Sequence, residues 1–450
     1  MKIPETPPDI NTILEEVKDQ SEYVKLYRWS QPTDSKGRYL HWDKLRHLDP
    51  PDGYSVEKWW VATKLAREYL YRPVNLFDKD QKNFRYAIPD SVQKDLHELA
   101  KNAAGNLSSN KEIINLDLRK TYLIRSLINE AISSSQLEGA ATTTPAAKEM
   151  LRQGRKPKDI SEQMIQNNYI AMHFIADIKN EPLTPSIIFE LHKILTQGTL
   201  KNPEAAGKFR TKEDDVVVMD PMDGVVLHIP PEPEELSERM ERLCQFANDE
   251  DPQEFINPLV KAIILHFILA YDHPFEDGNG RTSRALFYWF AARQDYDLIS
   301  FASISRVLKE EPGQYKRAFL YTETDQNDLT YFIIHQISVI KKCIDKLFEF
   351  LNKEAEEIEQ AEKQLEGQKH LRRLLNYRQV ALLKHALKSP KFIYTVYGHQ
   401  NTHGVAYETA RKDLMDMNKK WNLLNIQKEG KSYVFEAPED LRERIELAKQ

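Results

Sequence analysis

The chain has 450 residues, 41% hydrophobic and 29% charged, with a formal net charge of −6. This is the balance of a globular protein with enough apolar material for sizeable cores, and the length calls for roughly two to four domains. No apolar run reaches the roughly 20 residues that cross a membrane, and the start, Met1-Lys-Ile-Pro-Glu-Thr-Pro-Pro, lacks a signal-peptide core, so a cytoplasmic location is expected.

Residues 1–108 read as an N-terminal helical extension. A Pro-rich arm and a helical stretch near Ile10–Leu26 precede a run in which Trp59, Trp60, Leu65 and Tyr69 recur at helical spacing as packing residues. Asp90 stands as the N-cap of another helix. From Lys111 to Ser135, Leu116, Leu123, Ile124, Leu127, Ile128, Ala131 and Ile132 mark an amphipathic helix that runs into Ser133-Ser-Ser-Gln-Leu-Glu-Gly139. By residue type alone this is a helix end stopped by glycine, with Glu138 set against the negative end of the dipole.

Helical patterning continues over 160–200, with Thr184-Pro185 as N-cap and first turn. Two β-rich runs, Asp215–Asp220 and Val225–Pro230, flank Pro221-Met-Asp-Gly224 and predict a hairpin, the one clear strand pair of a helical core. Helices are expected at Glu232–Asn248 and Asn257–Tyr271. The second is apolar nearly all round (Leu259, Val260, Ile263, Ile264, Phe267, Ile268), so it should be buried, with His266 on it a structural residue.

That helix leads into His273-Pro-Phe-Glu-Asp-Gly-Asn-Gly-Arg-Thr-Ser-Arg284. Each part suits phosphate chemistry. Gly278 and Gly280 let the backbone turn tightly and aim several N–H groups at one anion. A following helix would add its positive end. Arg281 and Arg284 can contact phosphate oxygens in pairs. Asp277 is a hard oxygen ligand of the kind Mg²⁺ takes together with substrate phosphates. His273 titrates near neutrality and can take a proton from an attacking hydroxyl. Phe275 reads as an anchor that pins the loop into the core.

This stretch resembles the signature of Fic-domain proteins, His-x-Phe-x-Asp/Glu-Gly-Asn-Gly-Arg-x-x-Arg, and every position of the pattern is filled. The resemblance implies a mainly α fold, a Fic helical core with a small β-hairpin flap. It implies a protein adenylyltransferase that moves AMP from ATP onto a Ser, Thr or Tyr hydroxyl of a target protein. His273 would be the catalytic base and Asp277 the Mg²⁺ ligand. Gly278, Asn279, Gly280, Arg281, Thr282, Ser283 and Arg284 would line the nucleotide site. Val225, Val226, Leu227 and His228 would lie near ATP as the flap, which in the family also docks a target segment by strand addition. Family members usually carry two adjacent tyrosines after the core helices, the first lining the nucleotide; here Tyr315 is kept and Lys316 stands second. Ser134-Ser-Gln-Leu-Glu138-Gly139 resembles the family's inhibitory motif, in which the glutamate neutralises the signature's second arginine, here Arg284. Other implied readings are removal of AMP or transfer of another phosphorylated group. Gly280 argues against the phosphorylating relatives, which carry lysine there.

Residues 341–370 read as a charged helical connector or part of a homodimer surface, with Leu347, Phe348, Leu351, Ile358 and Leu365 as its sparse apolar stripe. Residues 371–450 give helix, β-rich Lys391–Tyr397, helix from Ala406 and a hairpin from Asn425, an order that resembles a winged-helix module. From His370 on, 15 Lys and Arg stand against 9 Asp and Glu, so DNA and protein partners are both open, as is a regulator that senses nucleotide and binds DNA. Cys244 and Cys343 are far apart and lack metal spacing, as suits a reducing compartment. The expected boundaries are 1–108, 109–340, 341–370 and 371–450.

Overall fold

The computed structural model describes residues 2–17, 19–28, 30–51, 53–103, 116–249, 255–296, 299, 302–364, 374–429 and 432–447. Helices dominate and the strands are short, so the fold is mainly α. Packing divides the chain into two units, one of 1–104, 170–299 and 304–342, the other of 105–169, 300–303 and 343–450. This differs from the expected boundaries. The N-terminal extension belongs with the signature, and the helix that carries Glu138 belongs with the C-terminal residues.

The first unit is organised around the helix Pro258–Asp272. Asn257 caps it by accepting from the Leu259 N–H at 3.0 Å, and Pro258 takes the first position, where no N–H is needed. Its apolar residues are buried on all sides, as the sequence predicts. It packs most extensively on the helix Asn279–Arg293.

The N-terminal residues are locked to this unit by polar groups out of reach of water. On the helix Val56–Glu68, Lys64 pairs with Asp325 at 2.9 Å, both buried. Arg67 donates to the Tyr331 hydroxyl at 2.8 Å and lies 3.5 Å from the ring centre of Tyr39. Buried charges persist only when paired in this way. Trp60 is fully buried as expected, whereas Tyr69 is 80% exposed and takes no part in the packing. A second hairpin, Arg72–Phe77 with Asn83–Tyr86, corrects the expectation of an all-helical extension. Its turn is charged, and Pro73 and Asn75 mask the strand pattern in the sequence. The hairpin is tied to the rest by backbone bonds from Arg85 to Asn327 and from Leu329 to Arg85, at 3.2 and 2.8 Å.

The predicted hairpin is present as Val218–Met219 paired antiparallel with Val226–His228. Its turn is closed by Asp220 N–H to Val225 O and Gly224 N–H to Asp220 O, both 2.9 Å, with Gly224 at φ 70°.

In the second unit the helix Leu116–Leu137 buries Ile128 and Ile132 against Ala147, Met150 and Leu151 of Thr144–Gln153 and against Ile165. The C-terminal residues form helix Tyr377–Lys388, strand Ile393–Thr395, helices Val396–His403 and Tyr407–Lys419, strands Asn425–Glu429 and Ser432–Glu436, and helix Leu441–Leu447. The three strands make one antiparallel sheet with Ser432–Glu436 in the middle. The β-rich run expected to reach Tyr397 stops at Thr395, whose hydroxyl accepts from the Gly398 N–H at 2.9 Å and starts a helix instead.

One uninterrupted helix covers Thr330–Gln364 and takes in most of the expected 341–370 connector. Leu347 on it is buried. The side chains of Leu351 and Ile358, and Leu365 altogether, lie outside the described residues, as do 104–115.

Candidate active site

At the end of the central helix the backbone of His273 turns left-handed, φ 46°, and the loop that follows returns into the helix Asn279–Arg293. The predicted helix after the signature therefore begins inside it, at Asn279. Gly278 is the N-cap at φ 86°, and a Cβ there would stand 2.8 Å from Thr196 Cγ2. Only glycine fits both the conformation and the space. The first-turn N–H groups of Asn279 and Gly280 have no acceptor inside the helix, the usual condition of a helix start, and make an anion-seeking surface.

His273 is half-buried, and its Nδ1 lies 3.1 Å from the carbonyl oxygen of Ala270. A carbonyl only accepts, so Nδ1 carries the proton and the neutral ring keeps its lone pair on Nε2. That is the tautomer a general base needs. The Asp277 side chain is 63% exposed; one oxygen accepts from the Gly278 N–H at 2.5 Å and the other is 3.8 Å from Arg281.

Several signature side chains serve the loop itself. Asn279 accepts from the Phe275 N–H at 2.9 Å and donates to the Phe275 carbonyl at 2.8 Å, clipping the turn shut. Arg281 is buried and donates to the Leu195 carbonyl at 2.9 Å. Thr282 and Ser283 are buried, and their hydroxyls donate to the carbonyls of Gly278 and Gly280, each at 2.9 Å. Arg284 is buried. Phe275 is fully buried, as its anchoring role requires.

Three residues that sequence reasoning missed hold this loop. His192 accepts from the Gly207 N–H through Nδ1 at 2.9 Å, so Nε2 bears the proton and donates to the Asp277 carbonyl at 2.8 Å. Its ring stacks on Phe275 with centroids 3.8 Å apart, and burial lowers its pKa to about 4. Arg210 donates to the carbonyls of His273, at 2.8 Å, and Pro231, while its own N–H reaches the Pro274 carbonyl at 2.9 Å. Glu323 meets His228 Nδ1 at 2.7 Å, and His228 Nε2 meets the Tyr271 carbonyl at 2.7 Å. His228 is thus the buried foot of the hairpin. Val225 and Val226 are exposed and Leu227 is half-buried. A histidine on an apolar helix face was the only signal for His192, and it does not name a partner.

Tyr315 accepts or donates at 2.8 Å with Nε2 of His266, whose pKa burial drives well down, followed by the fields of Arg284 and His335. His266 is fully buried, in the structural place expected of it. In the second unit Ser134 is buried and Glu138 is exposed, just past the helix end, before Gly139 at φ 95°. Glu138 and Arg284 belong to different units.

Residues 182–291, which include this whole loop, match the family model described as Fic/DOC family. The chain is 36% identical over 108 residues to Protein adenylyltransferase Fic of Nematostella vectensis, covering 24% of this chain and 22% of that protein. It is 41% identical over 118 residues to Protein adenylyltransferase Fic of Drosophila mojavensis, 26% of this chain and 22% of the other. The match to Protein adenylyltransferase fic-1 of Caenorhabditis briggsae is 26% identical over 202 residues, 44% of this chain and 37% of that one. The chain therefore spans well under half the length of these curated relatives. A Fic family protein from Desulfovibrio desulfuricans G20 is a similar solved structure at 15% identity, covering 78% of this chain and 95% of that one with a TM-score of 0.48. With the signature filled at every position and the loop folded around His273, residues 182–291 are similar to the Fic/DOC family over its matched length.

Proposed function

We propose that the chain is a protein adenylyltransferase that moves AMP from ATP onto a hydroxyl side chain of a target protein. The observation that carries this is the contact of His273 Nδ1 with the Ala270 carbonyl at 3.1 Å, which turns Nε2 into the acceptor of a neutral ring, beside a glycine-rich helix start. His273 Nε2 takes the proton of the attacking hydroxyl. The oxygen then attacks the α-phosphorus, the bond to the β-phosphate oxygen breaks, and pyrophosphate leaves. The N–H groups of Asn279 and Gly280 face the charge that develops on the transferring phosphoryl. Among the described residues no three His, Cys, Asp or Glu side chains form a metal cage. One exposed carboxylate, Asp277, fits Mg²⁺ that arrives with nucleotide and takes its other ligands from phosphates and water. When bound, the ion neutralises phosphate charge.

The same reading assigns Glu138 as an inhibitor that competes with the γ-phosphate for Arg284, supported by the fit of Ser134–Gly139 to the motif. The exposed Val225 and Val226 at the hairpin edge support docking of an extended target segment there. The sequence of elements in 377–447 supports a winged-helix reading, with Arg411 and Lys412 on its third helix.

The test is single-turnover labelling alongside calorimetry. His273→Ala should lose transfer by at least about 10²-fold while still binding ATP with Mg²⁺. Asp277→Ala should bind ATP equally with and without Mg²⁺. Unchanged transfer by His273→Ala would overturn the assignment.

A further inference from the structure

In the second unit a cavity of about 160 Å³ opens between the helices Leu116–Leu137 and Thr144–Gln153 on one side and the C-terminal helices Tyr377–Lys388 and Val396–His403 on the other. It lies within one unit, and no step of the proposed reaction uses it. Its polar wall carries Arg125, Arg152, His385, Thr402 and His403. Its apolar wall is formed by Leu382, Phe392 and Tyr394. We propose that this cavity is a binding site for a small organic phosphate, its phosphate on Arg125 and Arg152 and its apolar part against Phe392 and Tyr394.

Charge is the first reason. Glu149 is the one carboxylate on the lining among the described residues, and Gln153 already donates to it. His399, also on the lining, is matched from behind, with Nε2 3.2 Å from Asp413, which takes Arg378 as well. Two guanidiniums and one carboxylate thus line the cavity among the described residues. The strain shows in the neighbours. Burial, then Arg125 and despite Glu149, lowers the pKa of Arg152. Burial, then Arg152 and Arg125, lowers that of His385. His403 falls to about 2 through burial, His399 and Arg125. An anion in the cavity would offset the part of these shifts that comes from the neighbouring guanidiniums.

Shape is the second. A guanidinium presents a planar fork that matches phosphate oxygens in pairs, and two such forks favour a phosphate over a single carboxylate. The volume exceeds the roughly 10–15 Å³ that one water needs, so a phosphate leaves room for an attached group. The rings of Phe392 and Tyr394 on the lining suit a planar or apolar one; His385, whose Nδ1 is 2.7 Å from the Tyr394 hydroxyl, packs on both.

The walls are also fixed to each other. Asn401 donates to the Arg152 carbonyl at 3.0 Å. At Gly404, φ 60°, a Cβ would stand 2.6 Å from Ile124 Cδ1, so glycine is what lets the two sides close up. The site is built before any ligand arrives, which reduces the ordering cost of binding.

The experiment is calorimetry on the full chain with inorganic phosphate and phenyl phosphate, at ionic strength matched with chloride. Wild type should bind phenyl phosphate saturably and more tightly than inorganic phosphate. Arg152→Gln should weaken both by about tenfold or more, the loss of one charge-assisted contact. Phe392→Ala should weaken phenyl phosphate only. Should Arg152→Gln fail to fold, Arg152→Lys keeps the charge but not the fork and should still weaken both. Binding at the signature loop would be indifferent to residue 152, so equal affinity in wild type and Arg152→Lys, or no saturable binding in wild type, overturns the proposal.

Discussion

Gly278→Ala tests how tightly the signature loop is built. At φ 86° an alanine pays the left-handed penalty of roughly 1–2 kcal/mol. Its Cβ would also stand 2.8 Å from Thr196 Cγ2 and 3.3 Å from His192 Nε2, inside the packed floor of the loop. Overpacking of that sort adds about 1–3 kcal/mol. Gly224→Ala, in the turn of the Val218–His228 hairpin at φ 70°, has nothing within 4 Å of its Cβ and should show the conformational penalty alone. At roughly 2–4 °C per kcal/mol for a unit of this size, thermal unfolding should place Gly278→Ala about 2–12 °C below Gly224→Ala. Equal midpoints would mean that the loop yields, and that Thr196 and His192 do not define it.

Lys64→Met should destabilise the first unit by about 3–5 kcal/mol, because it leaves Asp325 charged and buried; Lys64→Met with Asp325→Leu should recover most of that in urea titrations. Burial lowers His41, His192 and His335 to about 4 each. A base depressed in the folded state contributes stability above its unfolded pKa, near 6.5, and loses it as pH falls through 4. The free energy of unfolding from urea titrations should therefore drop between pH 6.5 and 4, by on the order of 1–3 kcal/mol per histidine, the midpoint falling with it, and His192→Gln should flatten the fall. A midpoint that is level across this window would contradict the burial argument.

What the sequence made legible was local. The signature's glycines, the apolar run before it and the hairpin around Pro221–Gly224 each announce themselves within a dozen residues, and each is found where the pattern put it. What stayed hidden depends on partners far along the chain. His192 reaches Asp277 and Arg210 reaches His273, separations of 85 and 63 residues that no periodicity encodes. Residue type also misled in one direction. Asn279, Arg281, Thr282 and Ser283 look like phosphate ligands, yet their side chains bond the loop's own backbone or Leu195. β-branched and aromatic residues at Phe392–Tyr397 suggested strand, and a hydroxyl cap at Thr395 ended it. Lys64 and Arg67 read as the polar face of a helix, because only the fold supplies the aspartate and the tyrosine that let them be buried.

In the proposed mechanism His273 drives transfer of AMP and Glu138 restrains it through Arg284. Incorporation of α-phosphate-labelled ATP into protein, at one ATP concentration, addresses all three residues together. Wild type should label weakly and Glu138→Gly strongly. Adding His273→Ala to Glu138→Gly should abolish the label, and adding Arg284→Ala should cancel the gain. Strong labelling that survives His273→Ala, or equal labelling by wild type and Glu138→Gly, would contradict the account.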